Sequence, residues 1–289
     1  MNIVTTPDSV LQMALHAMDR TPDPRLRTVI AALTRHLHAF VQEVKLTEDE
    51  FEHALGFLVA IGQASGDTKN EVVLAADLLG VSTLVALLNN QDPQGESPAA
   101  LLGPFWRANA PVCDAGENIA RSETPGGVPL DVSGAVRTAD GQPVAGATVD
   151  VWQASPVGLY ENQDAAQEDM NLRGRFQTDA EGRFHFRSVR PAGYPVPTDG
   201  PCGDLLRAQL RHPNRPAHLH FMVSKPGHKV LITQVFADDD ENLESDPVFG
   251  VTRKLIGRYE LEQGGQRATL QHDFVLEPGE TKFPRPPIP

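Results

Sequence analysis

The distribution of proline and glycine divides the chain near residue 92. No proline occurs between Arg25 and Asp92, and glycine occurs there only at residues 56, 62, 66 and 80. Proline lacks the backbone N–H that a helix needs, and glycine costs conformational entropy, so both are unfavourable inside helices. Residues 101–289, by contrast, contain 19 prolines and 19 glycines. We therefore predict an α-helical region over residues 1–100 and a different architecture over residues 101–289.

The apolar pattern and one capping signal divide the helical region into segments. Apolar residues over 30–44 recur at the spacing of one helix face, and a further apolar-rich segment runs over 71–88. Thr47 and Glu50 have the form of a capping box, in which each side chain binds the other residue's backbone N–H. A helix is therefore expected to begin just before Phe51.

After residue 100, apolar and polar residues alternate in short runs. Side chains of a strand point alternately to its two faces, so such runs are typical of strands with one buried face. Turn sequences such as 139–141 and 179–182 separate the runs. We predict a mainly β fold here, an antiparallel β-sandwich. The predicted strands cover residues 130–136, 147–152, 183–186, 218–223, 230–236 and 268–275.

Charge and cysteine content limit the function classes. The formal net charge is −13 at pH 7, which argues against nucleic acid as a partner because phosphate binding requires a basic surface. No run of about 18 apolar residues is present, so we expect no membrane-spanning helix. The first residues lack the features of a signal peptide, and Cys113 and Cys202 are too few for a disulfide framework. We expect a cytoplasmic protein.

His218 and His220 suggest a metal site. On a strand, these two side chains project from the same face because side chains alternate with a period of two. Two imidazoles on one strand can give a metal ion two ligands, and Zn²⁺, Cu²⁺ and Fe²⁺ all accept imidazole. The same pattern also fits two histidines that are simply half-buried in a sheet. The pair alone leaves these alternatives open.

Two tyrosines lie in predicted loops upstream of this pair. Tyr160 ends the segment 158–160, and Tyr194 lies in a loop rich in proline and glycine. A phenolate is a hard, strongly donating anion that favours a trivalent ion such as Fe³⁺. No acidic residue lies between Asp204 and Asp238, although a carboxylate near the histidines would be expected at a ferrous or zinc site. Tyrosine ligation by itself could still be a coincidence of sequence.

Several segments together resemble the intradiol ring-cleavage dioxygenases in order and spacing. The resemblance covers about residues 101–275. Segment 141–147 also occurs in transthyretin-like sandwiches that catalyse nothing, but those modules lack two loop tyrosines followed by a His-x-His pair. The segments that carry the resemblance are 132–136, 141–151, 158–160, the Gly-Tyr-Pro loop at 193–195 and Arg-Pro-Ala-His-Leu-His-Phe at 215–221.

The resemblance implies a non-haem Fe(III) enzyme that cleaves an aromatic 1,2-diol between its hydroxyl groups with O₂, using one iron per subunit. Tyr194 would also act as a general base toward the diol. Arg215 matches an arginine that stabilises charge developing on the substrate. Gln234 matches a glutamine that contacts the site. The metal ligands implied by the resemblance are Tyr160, Tyr194, His218 and His220.

The resemblance also suggests a substrate. Segments 102–106, 194–201 and 245–251 are most similar to family members that convert hydroxyquinol to 3-hydroxy-cis,cis-muconate, the enol form of maleylacetate. Those members carry an aspartate near the position of Val85, where this chain has only apolar residues. Catechol or a chlorocatechol is therefore the alternative substrate. The candidates for the ring pocket are Gly103, Pro104, Phe105, Pro195, Phe249 and Val251.

The helical N-terminal region is shared by the family members that act on catechols and hydroxyquinol. In those members the helices form a homodimer interface that also holds phospholipid in a tunnel, and the resemblance implies both here. Two alternatives come from other classes. A non-catalytic transthyretin-like binding module would bind no stoichiometric iron, and a zinc hydrolase would be colourless.

Overall fold

The structure is a computed structural model that describes residues 3–66, 69–90, 95, 97–124, 126–262 and 264–288. By its internal contacts the chain separates into two compact units, Met1–Val59 and Ala60–Pro289. The first unit is helical, and the second contains further helices and all the strands found in the described part of the chain. The predicted fold class, a helical N-terminal region followed by a β-sandwich, is confirmed.

Side-chain caps determine where the helices of the first unit begin. Asp23 accepts hydrogen bonds from two backbone N–H groups in the first turn of the second helix, which that helix would otherwise leave unpaired. At the third helix, Glu50 accepts from the Thr47 backbone N–H at 2.9 Å, and the Glu50 N–H donates to Thr47 Oγ1 at 3.3 Å. The predicted capping box is present. These helices are α1 (Pro7–Met18), α2 (Pro24–Val44) and α3 (Glu48–Gln63), the last of which continues into the second unit.

Two short helices, α4 (Glu71–Leu78) and α5 (Val81–Asn89), precede the strands of the second unit. Gly80 separates them with a φ of +72°, a left-handed conformation that glycine adopts without strain. α4 buries Leu74 and Leu78, whereas no residue of α5 is buried. Among the described residues, no single helix is long and apolar enough to cross a membrane; α4 and α5 meet these criteria only as a pair bent by 77°.

The strands of the second unit are short, and one further helix, α6 (Pro201–Ala208), lies among them. In chain order the strands are β1 (Pro129–Thr138), β2 (Thr148–Gln153), β3 (Arg173–Gln177), β4 (Arg183–Val189), β5 (Tyr194–Pro195), β6 (Asn214–Arg215), β7 (His218–Ser224), β8 (Leu231–Ala237), β9 (Ile256–Gly257), β10 (Tyr259–Leu261), β11 (Ala268–Gln271) and β12 (Phe274–Leu276). The first sheet has the order β10-β11-β1-β12, with β4 also paired to β1. The second sheet has the order β3-β2-β7-β8-β9, and β5 pairs with β6.

The two large sheets are mixed, whereas the sequence suggested antiparallel ones. β1 pairs antiparallel with β4 but parallel with β11 and β12, and β8 pairs parallel with β9. Parallel neighbours need a long crossover connection. Here the chain that connects β1 to β11 includes most of the other strands of the sandwich. The alternation of each strand shows which face is buried, but it does not show the direction of a partner that is distant in sequence.

The two large sheets pack face to face around one hydrophobic core. Val149 and Val151 of β2 and Leu219 and Phe221 of β7 enter this core from the second sheet. Phe184 of β4 enters from the first sheet, with its ring centroid 6.5 Å from that of Phe221. Because side chains alternate, the intervening residues of β2 and β7 point to the outer face of the second sheet. That outer face carries the predicted histidine pair.

Candidate active site

A row of side chains crosses the outer face of the second sheet. The strand register places Trp152 of β2 directly between Arg173 of β3 and His220 of β7. On the far side of His220 lies Gln234 of β8. None of the four residues is more than 1% exposed. Polar groups buried to this degree need hydrogen-bond partners or a ligand. The row therefore indicates that the outer face of this sheet contains a binding site.

His218 and His220 point the same way from β7, as their spacing predicts. Their Nε2 atoms lie 3.1 Å apart. His218 Nδ1 lies 2.7 Å from the carbonyl oxygen of Pro216, so Nδ1 carries the proton and Nε2 presents a lone pair. The His220 ring stacks on Trp152 with centroids 4.8 Å apart. This contact fixes the orientation of the His220 imidazole plane. A lone pair directed at a second imidazole nitrogen is unfavourable unless a proton or a cation lies between them.

Burial keeps both imidazoles neutral. It lowers the pKa of His218 to about 3, and the Arg215 guanidinium acts in the same direction. Burial also lowers the pKa of His220, with a further contribution from His218. A neutral imidazole offers a lone pair, which is the form that binds metal ions. The histidine pair is therefore in the state that metal ligation requires.

The two loop tyrosines lie beside the histidine pair. Their hydroxyl oxygens are 3.5 Å apart, and their ring centroids are 5.5 Å apart. The ring of Tyr194 lies 5.4 Å from that of His218, and the ring of Tyr160 lies 6.4 Å from that of His220. Both tyrosines are buried. The structure thus brings together four residues from three separate segments of the chain.

A close approach of two backbone segments sets the distance between the tyrosines. Gly158 has a φ of +80°, and a Cβ built there would lie 3.2 Å from both the Gly193 carbonyl oxygen and Tyr194 Cβ. Residue 158 must therefore be small for the two loops to meet. Burial raises the pKa of Tyr160 well above its usual value, and the neighbouring Tyr194 adds to this effect. The Tyr160 phenol therefore keeps its proton unless a cation takes its place.

Arg215 is buried in the same site. Its Nη1 lies 3.3 Å from His218 Nε2, and its Nε donates to Asp246 Oδ1 at 3.1 Å. Burial acts to lower the pKa of Arg215, but the Asp246 carboxylate and Tyr194 together outweigh it and raise the pKa above its usual value. For Asp246, burial acts to raise the pKa, and Arg215 overcomes it and lowers the pKa. The site therefore contains a charged, fixed guanidinium next to the histidines.

Gln234 connects Arg215 to the segment before Gly103. Its Oε1 accepts from Arg215 Nη2 at 2.9 Å, and its Nε2 donates to the Leu101 carbonyl oxygen at 2.7 Å. Both ends of the amide are thus used, which leaves Gln234 one orientation. Gln234 therefore helps to hold the guanidinium in place, together with Asp246, to which Arg215 Nη2 also donates at 3.2 Å.

A cavity of about 270 Å³ adjoins this cluster, and Tyr194 and Arg215 both line it. Three of the predicted pocket residues, Gly103, Pro104 and Phe105, also line it. The Phe105 ring stacks on Tyr160 with centroids 4.4 Å apart, so the cavity wall packs directly on the tyrosine. Further apolar lining comes from Leu101, Val196, Pro197 and Val248.

Pro195, Phe249 and Val251 are not among the residues that line this cavity. Phe249 has a φ of 56°, is 52% exposed and lies with its ring 5.0 Å from the Arg211 guanidinium. The lining positions belong instead to the chain neighbours of the predicted residues, Val196 and Val248. At Pro195 the extended backbone of β5 explains the offset, because successive residues of a strand point to opposite sides. At Phe249 the left-handed backbone turns the side chain toward Arg211 instead.

Helix α4 supplies a polar group to the cavity wall. Val73, Leu74 and Asp77 line the cavity, and Asp77 is 7% exposed. Burial raises the pKa of Asp77, although a hydrogen bond with Ser82 acts against it. Val85, where the sequence comparison placed the missing aspartate, lies on α5, is 53% exposed and does not line the cavity. Helix α4, rather than the helix that carries Val85, therefore supplies a carboxylate to this cavity.

Two family models match the chain. The model described as Dioxygenase matches residues 101–278, and the model described as Catechol dioxygenase N terminus matches residues 23–97. The chain belongs to the intradiol ring-cleavage dioxygenases. The first model covers the β-sandwich, and the second covers the helical N-terminal region. Membership favours the enzyme over the non-catalytic binding module and the zinc hydrolase.

This intradiol dioxygenase is similar to characterised enzymes over most of its length. It is 44% identical over 266 residues to hydroxyquinol 1,2-dioxygenase of Rhizobium sp., covering 88% of this chain and 90% of the relative. It is 43% identical to 6-chlorohydroxyquinol 1,2-dioxygenase of Cupriavidus pinatubonensis, covering 89% of this chain and 92% of the relative. The crystal structure of hydroxyquinol 1,2-dioxygenase from Pseudomonas putida superimposes with a TM-score of 0.87 at 38% identity, covering 94% and 99% of the two chains.

Three functional residues of the dioxygenase were not predicted from the sequence. Asp77 is the one carboxylate in the apolar segment 72–81, which is a signal that sequence reasoning could have used. Asp246 and Val248 both lie in segment 245–251, which the resemblance had already singled out. Their partners, Arg215 and the cavity, are distant in sequence, so only the folded chain shows the pairing.

Proposed function

We propose that this dioxygenase holds one non-haem Fe(III) per subunit and inserts both atoms of O₂ into a 1,2-dihydroxylated aromatic ring. The C–C bond between the two hydroxyl-bearing carbons breaks, and each of these carbons gains one oxygen atom, so the product is a muconate with two carboxylates. The observation that carries the proposal is the convergence of two tyrosines and two histidines beside the cavity. The proposed ligands are Tyr160, Tyr194, His218 and His220.

The donor set fits ferric iron. Two phenol oxygens 3.5 Å apart and two imidazole nitrogens 3.1 Å apart belong to one buried cluster. Phenolates are hard anions, neutral imidazole accepts iron readily, and two phenolates offset two of the three charges of Fe³⁺. Within the described ranges, no three His, Cys, Asp or Glu side chains cluster. A metal at this site would therefore take its remaining protein donors from the tyrosines.

When bound, ferric iron would supply Lewis-acid chemistry, binding the diol and withdrawing charge from the ring so that a ring carbon reacts with O₂. The two tyrosines have different positions for this reaction. Tyr194 lines the cavity and can take a proton from a diol hydroxyl. Tyr160 does not line the cavity and is covered by Phe105. We therefore assign the base to Tyr194 and a purely ligating role to Tyr160.

Arg215 provides the fixed positive charge of the reaction. It lines the cavity, where negative charge develops on the attacked ring carbon, and a guanidinium held in advance stabilises that charge without reorganising. Asp246 and Gln234 both accept hydrogen bonds from it and hold it in place. Phe105 and Leu74 add apolar wall to the same cavity.

We further propose hydroxyquinol as the substrate. Asp77 offers the third ring hydroxyl a buried acceptor on the wall that α4 contributes, where Glu71 is the other carboxylate and Val73 and Leu74 are apolar. A ring without that hydroxyl leaves Ser82 as the partner of Asp77 but makes no hydrogen bond to the acceptor at the cavity, a loss of about 1–3 kcal/mol relative to hydroxyquinol. The relatives named above act on hydroxyquinol or its chlorinated form, which supports the same choice. Catechol or a chlorocatechol is the alternative, favoured by the apolar neighbours Val73 and Leu74.

The decisive experiment is a visible spectrum with iron analysis, before and after anaerobic addition of hydroxyquinol and, separately, catechol. We expect a red-brown band from charge transfer between tyrosinate and iron, which shifts when a diol binds. The substrate is the diol that shifts the band at lower concentration and is consumed when air enters. A colourless protein that retains zinc, or one that holds no metal after iron loading, would contradict the proposal.

We also propose that the chain acts in the cytoplasm as a homodimer through its N-terminal helices, with phospholipid at the interface. Support comes from α2, which has no buried residue in the described structure and exposes large apolar side chains along its length. Sedimentation equilibrium of the iron-loaded protein tests the dimer, and lipid extraction followed by mass spectrometry tests the phospholipid. A monomer at micromolar concentration would contradict the dimer. The exposed apolar side chains include Leu33, Leu37, Phe40 and Val44.

A further inference from the structure

Arg173 is a buried cation to which the proposed reaction gives no role. It lies on β3 opposite Trp152 and is 1% exposed. Its Nε donates to Glu161 Oε1 at 2.7 Å, whereas Nη1 and Nη2 have no hydrogen-bond partner among the residues that the structure describes. Each buried donor left without a partner costs about 1–3 kcal/mol. The position of Arg173 therefore calls for a compensating interaction of another kind.

That interaction is with Tyr160. The guanidinium carbon of Arg173 lies 5.9 Å from the centroid of the Tyr160 ring and over its face. A cation over an aromatic face is attracted by the ring, and the attraction grows when the ring belongs to a phenolate. The site is fully buried, so water screens this interaction little.

Glu161 reduces the charge of Arg173 only in part. Its Oε1 accepts from Arg173 Nε and also from Arg107 Nη1 at 3.0 Å. The carboxylate is therefore shared between two guanidinium groups. Because Glu161 Oε1 binds the guanidinium that lies over the Tyr160 ring, its negative charge opposes the charge of Arg173 there. Arg173 and Glu161 thus contribute opposite charges to the electrostatic field at the phenol ring of Tyr160, to which Arg215 also contributes.

We propose that Arg173 is a positioning residue of the metal centre that stabilises the Tyr160 phenolate and weakens its electron donation to ferric iron. This inference rests on the iron site proposed above. A nearby cation lowers the energy of the filled orbitals of a phenolate. It therefore raises the energy of charge transfer from tyrosinate to iron, and a less strongly donating ligand leaves the metal a stronger Lewis acid toward the diol.

The test uses full-length, iron-loaded variants and two readouts, the charge-transfer band and the Fe(III)/Fe(II) potential. Arg173→Met removes the cation, and we expect the band at longer wavelength and a more negative potential. Glu161→Gln removes the opposing charge, and both readouts should shift in the opposite direction. Arg173→Lys keeps the positive charge but loses the planar guanidinium group. The charge-transfer band of this variant should lie near that of the wild type.

Arg175→Met is the matched control. Arg175 lies on the same strand and face but two register positions away, opposite Asp150, and its Nε donates to the Ala110 carbonyl oxygen at 2.7 Å. Its removal deletes a cation of the same sheet that does not lie over Tyr160. The band and the potential of this variant should equal those of the wild type.

Opposite shifts in Arg173→Met and Glu161→Gln support the inference, because loosening of the loop would shift both variants the same way. Shifts in the same direction, or an unmoved band in Arg173→Met, overturn it. If Arg173→Met fails to hold iron, the charge-transfer band of Glu161→Gln becomes the test. A band of Glu161→Gln at the wild-type position then overturns the inference. A wild-type protein without any tyrosinate-to-iron band contradicts the proposed function instead, so the two failures are distinguishable.

Discussion

Gly103 lies directly against the imidazole of His220. A Cβ built on Gly103 would lie 3.1 Å from His220 Cε1, and the backbone there has a φ of +75°. Residue 103 therefore combines a left-handed conformation with a contact that leaves no room for a side chain. Because Gly103 lines the cavity and His220 is a proposed ligand, this contact couples the cavity wall to the orientation of the metal site.

The first prediction concerns this contact. Gly103→Ala should lower kcat/KM roughly 10- to 100-fold, because a displacement of about 1 Å near the reacting groups can have that effect. Steady-state kinetics at equal iron content measure it. Gly141→Ala is the control, since Gly141 has a φ of +84° with nothing within 4 Å. That variant should lose about 1 kcal/mol of stability and no activity; an equal loss of kcat/KM in both would rule out the His220 contact as the cause.

The two tyrosines should respond differently to removal of the hydroxyl group. Tyr194→Phe removes the proposed base and a ligand, so kcat should fall by roughly 100- to 10,000-fold. Tyr160→Phe should mainly reduce the iron retained per subunit, since Tyr160 does not line the cavity. Iron analysis and single-turnover kinetics on each variant separate the two effects. Wild-type turnover by an iron-loaded Tyr194→Phe variant would contradict the assignment of the base.

Arg215 should not tolerate replacement by lysine. Arg215→Lys keeps the charge but loses the geometry with which the guanidinium binds Asp246 and Gln234 at the same time. We expect kcat to fall about 10- to 100-fold with a smaller change in KM, because the charge acts mainly in the transition state. Steady-state kinetics over a range of diol concentrations measure both. A rise in KM alone would show that Arg215 only binds substrate.

Asp77 should determine the preference for the third ring hydroxyl. Asp77→Leu should lower the ratio of kcat/KM for hydroxyquinol to that for catechol by roughly 10- to 100-fold, because the buried acceptor is lost. Asp199→Asn is the control: Asp199 also lines the cavity, but its side chain is 72% exposed and pairs with Lys69. The control should keep the wild-type ratio. An unchanged ratio in Asp77→Leu would show that another group selects the substrate.

Asp150 should make the stability of the metal-free protein depend on pH. Burial raises the pKa of Asp150 to about 7, although a hydrogen bond from Trp106 acts against it. A carboxyl group whose pKa is higher in the folded state stabilises the fold while protonated, and this contribution is lost as pH rises through about 7. Asp150→Asn should therefore lose less stability between pH 5 and pH 8, by an amount on the order of a few kcal/mol. Urea unfolding at both pH values measures it, and parallel losses in the two proteins would contradict the prediction.

Features that depend on neighbouring residues were predictable from the sequence. The capping box at Thr47 is local, because its partner lies three residues away. The common direction of His218 and His220 follows from the alternation of one strand. The change in proline and glycine content near residue 92 separated helices from strands for the same reason, since these residues act on the backbone where they stand.

The metal cluster itself was reached through a family resemblance, and only the tertiary structure shows how its members meet. The two tyrosines approach because Gly158 lets their loops touch. Asp77 faces the cavity because α4 rather than α5 lies beside it. Arg173 reaches the site because strand register aligns it with Trp152 and His220. Periodicity along one segment determines which side chains share a face. Which distant segments then lie side by side depends on the packing and register of the whole fold, and no local pattern encodes these.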